Sequence, residues 1–322
     1  MKKYIGMLLI FLMVATGCNY SPAEVKERKK GAEEKIKIYT TIFPLQDFTK
    51  KIGGKYVEVE NVVPPGSDAH SFEPTTKTMV KIAEGDAFVY LGTGIEGFAD
   101  SVIEAMTNEQ TAIVNSSQGV KLILADGSQA ATEEDHEGDD EGEHEEEAND
   151  VDPHVWLDPS RSIQLADNIK QALIKIEPGK AEYFEDNFNT LKKDLEELDK
   201  SFMEMVNDSP NRTFIVAHSA YGYWEDAYGL KQVGIAGLSP GMEPSQKKLE
   251  EIIQLAEKNE INYIFFEQNV ENRVADVIKK EIGAETLTLH NLEALSEEDE
   301  KNGEDFISIM QKNIEALKQV LK

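Results

Sequence analysis

The chain has 322 residues, 40% of them hydrophobic, enough for about two domains with ordinary cores. Acidic residues outnumber basic ones 61 to 33, and the net charge of −28 excludes a nucleic-acid partner and suits a surface that attracts cations. A single cysteine excludes both a disulfide framework and a cysteine-built zinc site.

In chain order, residues 1–17 join Lys2 and Lys3 to an apolar run too short to span a membrane as a mature helix. Small residues and Cys18 follow, the pattern of a bacterial lipoprotein signal, although Ala15 stands where such signals usually carry leucine. Cleavage before Cys18 leaves its thiol to carry lipid. Residues 18–35 are polar and read as a flexible tether. The expected location is therefore extracytoplasmic, lipid-anchored to the cell membrane through Cys18.

Strands are expected over residues 35–41, 56–61, 86–92 and 111–115, with helices over 45–53, 76–84 and 97–106 between them. Such alternation implies a parallel sheet. Residues 160–207 are helical in pattern, broken at "EPGK" (177–180). In the second piece Phe184, Phe188, Leu191, Leu195, Leu198, Phe202 and Met205 form one apolar stripe along a long helix. Strands then resume over 213–218, 232–239, 262–268 and 285–290, with helices over 245–258, 270–282 and 305–321. The expected class is α/β: two lobes, each a parallel sheet flanked by helices, joined by one linker helix. The N-terminal lobe spans 36–178, the linker 179–208 and the C-terminal lobe 209–322. Ligands of open parallel sheets bind beyond the carboxyl ends of the strands, which places a site in the cleft between the lobes.

Four of the six histidines, His70, His154, His218 and His290, fall at strand or loop ends. His154 sits in "DPHVWLDP", held between Pro153 and Pro159 beside Trp156, with Asp152 and Asp158 placed to take its free ring N–H. Imidazoles with a carboxylate suit tetrahedral zinc. No His-Glu-x-x-His, Gly-x-Ser-x-Gly or P-loop motif is present.

Four stretches taken together resemble a known family: "HSFEPTTKTMVKIAEGDAFVYLGTGIEGF" (70–98), "DPHVWLDP" (152–159), "AHSAYGYWEDAYGL" (217–230) and "FFEQNV" (265–270). They are similar to the zinc and manganese solute-binding proteins of ABC importers, and most to the zinc receptors of the ZnuA and AdcA kind. The resemblance implies that His70, His154 and His218 are metal ligands, with His218 favouring zinc where manganese members carry glutamate. For the fourth ligand it leaves two residues of "LHNLEAL" (289–295), Glu293 and, as the alternative, His290, with water as a third option. Glu267, ending a strand, is placed to support a histidine. The implied role is capture of Zn²⁺ as transported ligand and delivery to an ABC permease, by a monomer that is not an enzyme. Three alternatives remain open: a manganese receptor, a zinc-dependent hydrolase and an adhesin.

The acidic tract at 133–150 holds twelve carboxylates with His136 and His144 and no large apolar residue, so it is expected to be disordered. It reads either as a solvated loop or as a weak zinc collector beside the cleft.

Overall fold

Ile36, Ile38 and Tyr39 of "IKIYT" are all buried, which makes β1 (Ile36–Thr40) an inner strand. The computed structural model describes residues 34–106, 110–125, 127–128, 151–242, 244–268 and 273–322. The leader, Cys18, the tether up to residue 33, and the acidic tract with His136 and His144 lie outside the described residues.

After β1 come α1 (Phe43–Gly53), β2 (Val57–Asn61), α2 (Thr76–Ala83), β3 (Ala87–Tyr90), α3 (Ala99–Ala105) and β4 (Ala112–Asn115). These strands form one parallel sheet, ordered β2-β1-β3-β4. Two long helices follow, α4 (Pro159–Ile176) and α5 (Ala181–Asp208), separated at the expected "EPGK" break by a 3-10 turn, Pro178–Lys180. The second half runs β5 (Thr213–Val216), α6 (Gly222–Tyr228), β6 (Lys231–Gly234), α7 (Gln246–Lys258), β7 (Tyr263–Phe266), α8 (Arg273–Ile282), β8 (Glu285–Thr288), α9 (Glu297–Asn302) and α10 (Phe306–Val320). Its parallel sheet has the order β6-β5-β7-β8, the same connectivity as the first. In each sheet the chain changes direction of travel between the first and third strands, so the crevices lie at β1/β3 and β5/β7.

Every strand expected from the sequence is present. The one read over 232–239 ends early, at Gly234, although the Ile235 and Ala236 N–H groups still donate to Val216 and Ala217. Two short helices were not expected. The aromatic, glycine-bounded α6 has no helical period, and α9 reads "EEDEKN" with no apolar face. A capping box of Ser296 and Asp299 starts α9, and Gly303, in the left-handed region at φ 68°, ends it.

All seven residues of the α5 stripe are buried, and the helix packs on α1, α4 and α10. One apolar cluster continues from β1 and α1 through α4 and α5 to α6, β8 and α10, so the two sheets share a core. Phe48 of α1 and Phe306 of α10 meet edge-to-face at 4.9 Å. Phe202 of α5 lies 5.0 Å from Trp224 and stacks at 5.1 Å on Tyr228. Phe202→Ala is expected to cost about 3–5 kcal/mol through the cavity it leaves, read as a lower denaturant midpoint. A loss under about 1 kcal/mol would mean that α5 braces the molecule less than this packing implies.

Candidate metal centre

Each element ends where it can deliver a donor. β2 stops at "VVPPG", and the loop beyond it carries His70, whose backbone N–H donates to Asp68 Oδ1 at 3.0 Å. His154 opens a 3-10 turn, Val155–Leu157, directly before α4. His218 lies two residues past β5, and Glu267 directly follows β7, so this pair flanks the β5/β7 crevice. Glu293 lies on the loop after β8.

These residues converge. His70, His154, His218 and Glu293 each offer a donor atom, all within 4.8 Å of one another. Glu293 Oε1 is 3.4 Å from His70 Nε2, 3.4 Å from His154 Nε2 and 3.9 Å from His218 Nε2. The His154 and His218 Nε2 atoms are 3.4 Å apart. A tetrahedron of donors around zinc has edges of about 3.3 Å, so most of these separations are close to the size the ion requires. His154 and His218 are fully buried.

The remaining ring nitrogens decide what the cluster presents. Asp152 Oδ1 lies 2.8 Å from His154 Nδ1 and also accepts the His154 backbone N–H. Glu267 Oε1 lies 2.5 Å from His218 Nδ1, off the line a hydrogen bond prefers. A carboxylate only accepts, so it holds a proton on Nδ1 and leaves Nε2 as the nitrogen that faces the cluster. His70 Nε2 is buried with no hydrogen-bond partner. Lone pairs facing one another and a carboxylate repel unless a cation or proton sits among them.

His290 shows the opposite tautomer. Its Nδ1 accepts the Leu292 N–H at 2.8 Å, so its proton sits on Nε2, which faces Asp299 Oδ2 at 3.4 Å. That contact holds the Asp299 carboxyl down at about 2. His290 therefore lies outside the cluster and has no lone pair to offer a metal. Asp158, expected beside His154, instead caps α4 by accepting from Ser160 and Arg161 N–H and pairs with the Arg161 guanidinium at 2.5 Å. The "DPS" at 158–160 is itself a helix-start signal, an N-cap followed by proline, and it outweighs proximity to the histidine.

Further residues support the ligands in roles that the sequence did not assign. Tyr223 donates its hydroxyl to the Asp152 carbonyl at 2.8 Å, and Trp224 Nε1 donates to Leu157 at 2.7 Å. Trp156 Nε1 donates to the Asn291 carbonyl at 2.8 Å, and Phe43 N–H donates to the Glu293 carbonyl at 3.0 Å. The ligand loops of the two halves are thus tied across by named bonds. Asp152 Oδ2 crowds Gly222 so closely that a Cβ there has no space.

Beside the cluster is a cavity of about 10 Å³, bounded by Asp68, Glu267, His290 and Glu293. That is room for about one water. A separate groove of about 940 Å³ follows β6 and reaches Asp152 but none of the four donors.

Paired α/β halves with a largely buried cluster of nitrogen and oxygen donors at their strand ends make up a fold with a metal-sized site. Comparison with known proteins narrows the class. The chain belongs to the ZnuA family, described as zinc-uptake complex component A periplasmic, whose profile matches residues 38–320. It is 37% identical over 313 residues to the zinc-binding lipoprotein AdcA of Streptococcus pneumoniae strain R6, covering 97% of this chain and 61% of AdcA. The chain thus spans under two thirds of that relative's length. It is also 37% identical over 323 residues to the high-affinity zinc uptake system protein ZnuA of Bacillus subtilis, covering 99% and 98% of the two chains. Among solved structures, the Zn(II)-bound ZnuA-like domain of Streptococcus pneumoniae AdcA superposes with a TM-score of 0.73 at 36% identity, covering 89% of this chain and 99% of that domain.

Proposed function

We propose that this protein is an extracytoplasmic receptor that captures Zn²⁺ through His70, His154, His218 and Glu293 and hands it to an ABC permease for import. One observation carries the reading: three imidazole Nε2 atoms converge on a single carboxylate oxygen at 3.4–3.9 Å in a buried site. Three nitrogens and one oxygen at tetrahedral spacing suit zinc better than manganese, which prefers more oxygens and more ligands. Asp152 and Glu267 add negative charge behind the imidazoles, which favours a divalent ion.

In this role no bond is made or broken. Residues 36–178 and 209–322 act as lobes with 179–208 as the brace, and the shared core and cross-ties support a small adjustment on binding over a wide opening. Cys18 carries the lipid anchor, a reading supported by the leader pattern and by the lipoprotein among the relatives. Among the described residues no helix is long and apolar enough to cross a membrane. His136 and His144 feed the site loosely at most, because ordering a charged tract costs conformational entropy.

Competitive titration of the metal-free protein with Zn²⁺ and Mn²⁺ tests the reading. One zinc per chain, bound more tightly than manganese, is expected. Tighter manganese binding would overturn the choice of cargo.

A further inference from the structure

Asn291 is buried two residues before Glu293 and holds it at two points. Its Oδ1 accepts the Glu293 backbone N–H at 3.1 Å, and its Nδ2 donates to Glu293 Oε1 at 3.0 Å. The amide orientation is not arbitrary: a backbone N–H only donates, so the oxygen must face it and the NH₂ must face the carboxylate. Leu292, between them, is fully buried with φ 62°, in the left-handed region that leucine seldom adopts. That turn folds the chain back so that one amide spans both groups of residue 293.

Glu293 Oε1 has two lone-pair directions. Asn291 Nδ2 takes one of them, and the same oxygen is the one that lies 3.4–3.9 Å from the three imidazole Nε2 atoms. Bringing the second carboxylate oxygen onto the same ion would mean turning the carboxylate, which stretches the Asn291 bond. Trp156 Nε1, bonded to the Asn291 carbonyl at 2.8 Å, resists any shift of the whole loop.

Taking the metal-site reading above as its basis, we infer that Asn291 is a specificity-determining positioning residue. It restricts Glu293 to one-oxygen coordination, which keeps the site four-coordinate and disfavours ions such as Mn²⁺ that seek six ligands.

The test uses the full chain, as wild type, Asn291→Ala and Asn291→Asp. The aspartate variant is near-isosteric and keeps an acceptor for the Glu293 N–H. It replaces the donor to Oε1 with a carboxylate oxygen that repels it, so it breaks the same contact and keeps the test open if the alanine variant does not fold. Each protein is loaded with Co²⁺, whose visible bands are strong in tetrahedral sites and weak in five- or six-coordinate ones. Each is then titrated with Zn²⁺ against Mn²⁺. Wild type should show the strong band. Both variants should show a weaker one, with the zinc-over-manganese preference narrowed by about tenfold or more. A purely structural role for Asn291 would change the thermal midpoint but neither the band nor the preference. Unchanged band and preference in a folded variant overturn this inference alone. A wild-type protein that takes up no zinc overturns the site reading and this one with it.

Discussion

Replacing His154 with alanine should weaken zinc binding by about 100-fold or more. Structural zinc sites with four ligands bind with about 10–16 kcal/mol at neutral pH, so one ligand accounts for roughly 3 kcal/mol. His154 should cost more than His70. Its Nδ1 neutralises Asp152, and alanine would leave that carboxylate buried without its partner. His70 sits on a loop with its side chain 11% exposed, and its removal disturbs little packing. Competition with a chelator of known affinity gives the ratio, and a melting curve of the metal-free variants separates lost ligation from lost fold. Binding by His154→Ala within about threefold of wild type would show that the tight site lies elsewhere.

The reasons His154 stood out in the sequence are physical. Two prolines and a tryptophan around one imidazole leave few conformations, so "DPHVWLDP" reads as a rigid ligand loop before any coordinate is known. The strands were legible for a similar reason: short apolar runs that end at Pro, Gly or Asn fit a buried parallel sheet. The α5 stripe was legible because seven apolar residues share one helical face.

The choice between His290 and Glu293 was not legible. Both lie in "LHNLEAL", and spacing alone lets either reach a cleft. What separates them is the left-handed backbone at Leu292, which aims its N–H at His290 Nδ1 and so fixes the wrong tautomer for a ligand. No propensity rule places leucine at positive φ. The roles of Tyr223, Trp224 and Asn291 were hidden likewise, because they act on residues 71, 67 and 2 positions away through contacts that only the fold creates. Asp158 is different: its helix-capping signal was in view, and nearness to the histidine obscured it.

Zinc capture should weaken steeply as pH falls, and the decline should begin higher than an ordinary histidine would allow. Burial by itself lowers the His154 pKa, but hydrogen bonds and charge from Asp152 and Glu293 reverse that and raise it from 6.5 to about 9. Burial also favours a neutral Glu293, yet the His154 and His70 imidazoles facing it hold it well below the usual carboxylate range. At neutral pH the metal-free site therefore contains an ionised Glu293 facing a proton on His154 Nε2. Zinc must expel that proton. Each pH unit below about 9 then costs about tenfold in apparent affinity, or about a thousandfold by pH 6. For folding, the raised His154 pKa stabilises the metal-free protein fully below about 6.5, and this is lost as pH rises through about 9. The lowered Glu293 pKa acts in the other direction: its contribution is present above about 4.5 and fades as pH falls further. The gap in melting temperature between zinc-bound and metal-free protein should therefore widen from pH 6 to about 9 and level off beyond it. A gap that stays flat across that window would mean that His154 already presents a bare lone pair to the ion, and that no proton competes for the site.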